Sequence, residues 1–183
     1  MMPRLFVALG DIPQDERIAG SLSRLLARLP GAREVAAEGR HVTLAFLGEV
    51  PRGRIGSVEE ACRTAARGGR QEEYVLNALG GFPRSEARIV ALTGPTPPGL
   101  GRLAAALGDL LGAEGFAVER RPLRVHVTVA RLRESCAIPA QVIAPLRVMA
   151  EEIRLYESEL LPAGARYHLV SAFALPRAEG PSA

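Results

Sequence analysis

The chain has 183 residues, 48% of them hydrophobic and 23% charged, with a net charge of +3. That length suits one domain or two small lobes packed together, and no apolar run approaches the roughly 18 residues of a membrane span. All 23 basic residues are Arg, which excludes chemistry that needs a lysine amine, such as a Walker-A loop or a Schiff base.

Leu5 to Leu9 reads as a buried strand. A turn at Gly10-Asp11-Ile12-Pro13 follows, with Pro13 placed to open a helix. Ile18, Leu22, Leu25, Leu26 and Leu29 recur at helical spacing until Pro30-Gly31 stops them. Arg40 to Gly48 is a strand, and Pro51 starts a second helix over about 54–67. Tyr74 to Leu79 is a strand closed by Gly80-Gly81, and Phe82-Pro83-Arg84 is a connecting loop. Arg88 to Thr93 is a strand, and Leu100, Leu103, Leu107, Leu110 and Leu111 give a long amphipathic helix. Phe116 and Val118 lie in a short extended piece before a strand at Arg124 to Arg131. Ile138 to Leu146 reads as a short helix opened by Pro139. Ile153 to Leu160 and Tyr167 to Leu175 are strands joined by a turn at 162–165, and 177–183 is a loose polar tail. With no signal-peptide pattern, a cytoplasmic protein is expected. Cys62 and Cys136 stand alone, with no Cys-x-x-Cys, and are expected to be reduced and partly buried.

Two strands carry the same unusual pair. Alternation puts His41 and Thr43 on one strand face, and His126 and Thr128 repeat that relation. The chain has three histidines, so two of the three sit in this setting. The landmarks fall in register: Val7 with Val90, Pro13 with Pro97, His41 with His126. A duplicated β-α-β unit accounts for this, with halves at about 4–80 and 88–175. Shared helix–strand grammar without symmetry is the alternative. A pseudo-twofold axis would bring both His-Thr faces to one cleft.

Histidine titrates near neutrality, so two facing imidazoles can hold opposite protonation states, one as general base and one as general acid. That pairing suits in-line displacement at phosphorus, with the Thr hydroxyls holding non-bridging oxygens. Arg131, three residues after Thr128, falls on the opposite face of a regular strand and reaches the site only through a bend or bulge. Two histidines are too few for a typical zinc site, and no Gly-x-Ser-x-Gly elbow is present. His168 reads as structural or exposed, and Phe46 and Leu47 as core. An RNA-end binding module without turnover would need aromatic platforms, and five Phe, three Tyr and no Trp make those scarce.

His41-Val42-Thr43-Leu44 and His126-Val127-Thr128-Val129 are two His-x-Thr-x motifs. Around them stand Leu5-Phe6-Val7-Ala8-Leu9, Phe46-Leu47-Gly48-Glu49-Val50, Gly80-Gly81-Phe82-Pro83, Ala130-Arg131, Tyr156-Glu157-Ser158-Glu159-Leu160 and Gly164-Ala165-Arg166-Tyr167. In this ordered set the chain resembles the two-histidine (2H) phosphoesterases. Within them it resembles the bacterial and archaeal RNA 2′,3′-cyclic phosphodiesterases, historically called 2′-5′ RNA ligases. The resemblance spans about residues 3–176. It implies a bilobal α+β domain over 1–176, with two pseudo-symmetric antiparallel sheets flanking a cleft and no metal or cofactor. It implies His41 as proton donor, His126 as proton acceptor, and Thr43, Thr128 and Arg131 as phosphate contacts. The reaction implied is hydrolysis of RNA 2′,3′-cyclic phosphate ends to 2′-phosphates by a monomer, with 2′-5′ ligation as its reverse. Small cyclic nucleotides or 2′-5′ oligonucleotides would fit the same acid–base pair.

Overall fold

The computed structural model describes residues 2–10, 12–83, 86–161 and 164–177. Asp11, Arg84, Pro162 and Ala163, which belong to expected turns and loops, and the tail 178–183 lie outside them.

Among the described residues, nine strands and three α-helices form an α+β fold. The strands are β1 (Arg4–Leu9), β2 (Arg33–Glu34), β3 (Val42–Glu49), β4 (Glu72–Phe82), β5 (Ala87–Thr93), β6 (His126–Cys136), β7 (Gln141–Ala150), β8 (Glu152–Leu161) and β9 (Gly164–Ala174). The helices are α1 (Glu16–Leu26), α2 (Ile55–Gly68) and α3 (Pro98–Ala113). One sheet has the order β3-β1-β8-β9 and the other β2-β6-β5-β4-β7, and neighbours pair antiparallel. Each sheet takes strands from both halves of the chain.

Hydrophobic spacing sets the helices. Leu100, Leu103, Leu107 and Leu111 all bury on one face of α3, and Pro98 sits at its start, where a missing N–H costs nothing. A glycine at positive φ, Gly115, ends the helix, and the Phe116 N–H reaches back to the Leu111 carbonyl at 3.0 Å. This capping turn pins Phe116 on the core, and no strand forms there. Pro13 does not open α1. Asp15 does, accepting from the Arg17 N–H at 2.9 Å, and the helix stops at Leu26 as its bonds tighten into 3-10 turns. α2 packs on α3, β8 and β9, α3 on β3, and α1 on β7. No helix among the described residues is long and apolar enough to cross a membrane.

Two expectations fail for reasons of packing. Residues 138–146 are not helical: 141–150 form β7 at the edge of the larger sheet. The Pro145 ring is tolerated there because the edge needs no N–H from it, and the register slips opposite Asn77 to take it in. Gly80 and Gly81 do not close β4, which runs through both to Phe82. A Cβ on Gly81 would stand 2.6 Å from the Ala87 Cβ, and one on Gly80 would stand 2.7 Å from the Ala140 Cα. These glycines admit a close neighbour and do not turn the chain. The cysteines also differ from expectation: Cys62 is fully buried and Cys136 exposed, both free.

Candidate active site

His41 immediately precedes β3, and His126 opens β6. The ring Nδ1 of His41 lies 2.9 Å from the Gly39 carbonyl, and that of His126 lies 2.8 Å from the Arg124 carbonyl. A carbonyl only accepts, so each Nδ1 carries its proton there. In both motifs the backbone two residues back fixes the tautomer, which leaves Nε2 to exchange a proton with a bound group.

His41, Thr43, His126, Thr128 and Arg131 line one cavity of about 690 Å³ between the sheets. Arg131 gets there through a bulge. Ala91 pairs with Thr128 and Val90 with Ala130, so Val129 is an extra residue that reverses the alternation beyond it. β3 has the matching defect: Ala8 pairs with Thr43 and Val7 with Ala45, which leaves Leu44 extra. Leu44 and Val129 hold the same place in the two motifs. The residue swung into the cavity is Arg131 in one half and Phe46 in the other. Phe46 is therefore not core; it is 65% exposed on the cavity wall, while Leu47 packs against the core. Sequence reading missed Phe46, and its signal was its place 85 residues before Arg131, the spacing that separates the two histidines.

The two imidazoles have different surroundings. His41 packs 4.8 Å from the Phe6 ring and meets the Tyr167 ring edge-on at 5.2 Å. Burial among these rings, with the nearby charges of Arg131 and His126, outweighs the Gly39 carbonyl and lowers the His41 pKa to about 4. His126 is half-buried and stacks on Phe82, centroids 4.3 Å apart, with the Arg124 guanidinium 4.8 Å from the centre of the same Phe82 ring. His168 lies elsewhere, exposed and 3.1 Å from a Glu159 carboxylate oxygen. No group of three or more His, Cys, Asp or Glu side chains that could hold a metal occurs among the described residues.

Twin strands that each present an imidazole and a hydroxyl to one inter-sheet cleft define a two-histidine phosphoesterase. The family model "LigT like Phosphoesterase" matches residues 12–91. An Escherichia coli RNA 2′,3′-cyclic phosphodiesterase is 32% identical, aligned over 94% of this chain and 96% of its own length. One from Thermotoga maritima is 27% identical over 91% of this chain and 92% of its own. Among solved structures, E. coli LigT complexed with 3′-AMP superposes with a TM-score of 0.78 at 28% identity, covering 96% of this chain and 99% of that one. The chain belongs to the LigT-like phosphoesterases, the family of these RNA 2′,3′-cyclic phosphodiesterases.

Proposed function

We propose that the chain hydrolyses RNA 2′,3′-cyclic phosphate ends to 2′-phosphates, with residues 1–176 acting as one catalytic unit. The observation that carries this reading is the convergence of both His-x-Thr pairs on one cavity. His126 Nε2 takes a proton from water as the water oxygen bonds to phosphorus. The bond from phosphorus to the 3′ oxygen breaks, and His41 Nε2 delivers a proton to that oxygen. Thr43, Thr128 and the Arg131 guanidinium hold the non-bridging oxygens, where hydrogen bonds to charged oxygen are strongest. The exposed Phe46 ring offers a stacking face to the terminal base. With a 5′-hydroxyl in place of water, the same steps form a 2′-5′ bond, and run backwards they break that bond and close the cyclic phosphate again. A single chain supplies every group named, so the unit needs no second copy.

Burial keeps His41 neutral at pH 7 in the free protein, yet the reading makes it the donor. The substrate resolves this: its anionic phosphate, placed between His41, Arg131 and His126, reverses the local charge and draws a proton onto His41. A relative, E. coli LigT, has been solved with 3′-AMP and with phosphate, ligands of this chemistry.

The test is an assay of purified protein in EDTA on RNA ending in a 2′,3′-cyclic phosphate, with the product isomer identified. Turnover to the 2′-phosphate is expected, falling roughly 100- to 10,000-fold in His41→Ala and in His126→Ala. Full activity in both variants, or a 3′-phosphate product, would overturn the assignment.

A further inference from the structure

The His126 ring makes one hydrogen bond, from Nδ1 to the Arg124 carbonyl at 2.8 Å. A single bond at one corner fixes the tautomer but lets the imidazole pivot about the line from Nδ1 to the oxygen, and that pivot swings Nε2. The Phe82 ring closes it off. The two rings lie nearly parallel, with 12° between their planes and 4.3 Å between centroids. The Arg124 guanidinium in turn stands 4.8 Å from the centre of the Phe82 ring. Arg124, Phe82 and His126 thus form a closed triangle of contacts, in which the backbone of Arg124 holds the imidazole and its side chain braces the ring beside it.

Phe82 serves this contact and not the core. It ends β4 opposite Ile89, which lines the catalytic cavity, so its side chain leaves the sheet on the cavity side. It is half-buried, and among the described residues the partly buried hydrophobics packed on the core do not include it. The other imidazole is held differently. His41 has the rings of Phe6, Tyr156 and Tyr167 around it, at 4.8, 6.4 and 5.2 Å. Among the described residues, Phe82 is the one aromatic ring against His126. We propose, building on the reading of His126 as the general base, that Phe82 is a positioning residue: its face stops the imidazole from pivoting and keeps Nε2 aimed at the attacking water. The base then depends on a single ring, whereas the acid is held by three.

The test compares kcat and KM on adenosine 2′,3′-cyclic phosphate for wild type, Phe82→Leu and Phe82→Tyr. Phe82→Leu keeps much of the bulk and loses the flat face. Its kcat should fall roughly 10- to 100-fold, the cost of a misaimed catalytic group, with KM within about two-fold of wild type. Phe82→Tyr keeps the face and should stay within about two-fold of wild type in both constants. Added to His126→Ala, Phe82→Leu should cost less than about two-fold more, because the imidazole it acts through is gone. The inference is overturned by an unchanged kcat in Phe82→Leu, by a loss carried in KM, by equal losses in the Leu and Tyr variants, or by the full loss repeated on top of His126→Ala. The imidazole proton resonances of His126 report the stack without turnover. The Phe82 face should hold them upfield in wild type and release them in Phe82→Leu. If wild type does not turn over the substrate, the activity reading fails by itself, and these resonances decide the positioning: a downfield move in Phe82→Leu supports it, and unchanged shifts overturn it. If Phe82→Leu does not fold, wild type decides: upfield resonances with Overhauser contacts to Phe82 support the stack, and unshielded ones overturn it.

Discussion

At the scale of single residues, His41 links the site to the stability of the chain. Its ordinary pKa of 6.5 applies to the unfolded chain, and folding lowers it to about 4. Between those values the unfolded chain binds more protons, so stability rises with pH across the window and is lost as pH falls from 6.5 towards 4. The loss amounts to roughly 3 kcal/mol at most, because each tenfold drop in proton affinity on folding is worth about 1.4 kcal/mol. Urea midpoints measured from pH 7 down to pH 4 should therefore fall more steeply in wild type than in His41→Asn, and parallel curves would refute the burial account. The charge contribution separates from burial in Arg131→Gln. Removing that guanidinium should raise the His41 pKa of the free protein, read from the imidazole proton resonances, while substrate binding weakens. Inorganic phosphate added to wild type should move the same resonances towards the protonated form.

At the scale of elements, the paired bulges decide what the cleft contains. The extra residues Leu44 in β3 and Val129 in β6 turn alternate positions inward, so Phe46 and Arg131 join the histidines and threonines. β4 reaches the site by a different device, its glycines letting the Ala87 methyl group and the Ala140 backbone close in before Phe82 stacks on His126. Gly81→Ala forces a Cβ to 2.6 Å from Ala87 and 3.1 Å from Ile138. A destabilisation of about 1–3 kcal/mol is expected, seen as a Tm several degrees lower, and an unchanged Tm would show that the strands part without strain. These elements also show what the residue pattern reveals. The His-Thr alternation is legible because a period of two exposes it, and the two long leucine helices because a period of 3.6 does. A bulge leaves no mark in composition, so Phe46 reads as core and Arg131 as facing the wrong way. Gly80-Gly81 resembles a turn because glycine serves both bends and close approaches, and only the partner strand tells them apart. β7 resembles a helix because Pro139 fits a helix start, whereas its buried residues Leu146, Val148 and Ala150 alternate as in a strand.

At the scale of the whole molecule, the site exists only where the two sheets meet. His41, Thr43 and Phe46 come from the β3 edge of one sheet, and His126, Thr128 and Arg131 from the other. Beneath them the buried side chains of both sheets form one continuous hydrophobic cluster, from Leu5 and Val42 through Val90, Val127 and Leu155. On the proposed reading, a phosphate gripped from both sides would tie the sheets to one another and bind only the folded chain. Linkage then sets the gain in stability at about 2.7 kcal/mol when free ligand is 100 times its Kd. For a chain of this size that raises Tm by roughly 5–10 °C. Calorimetry with adenosine 2′-phosphate should show a single transition moving up as one. Adenosine without the phosphate should move it much less, and His126→Ala should blunt the shift through the loss of one wall of the cleft. Two transitions, with the ligand moving only one, would mean that the sheets unfold independently and that the phosphate is held by one of them.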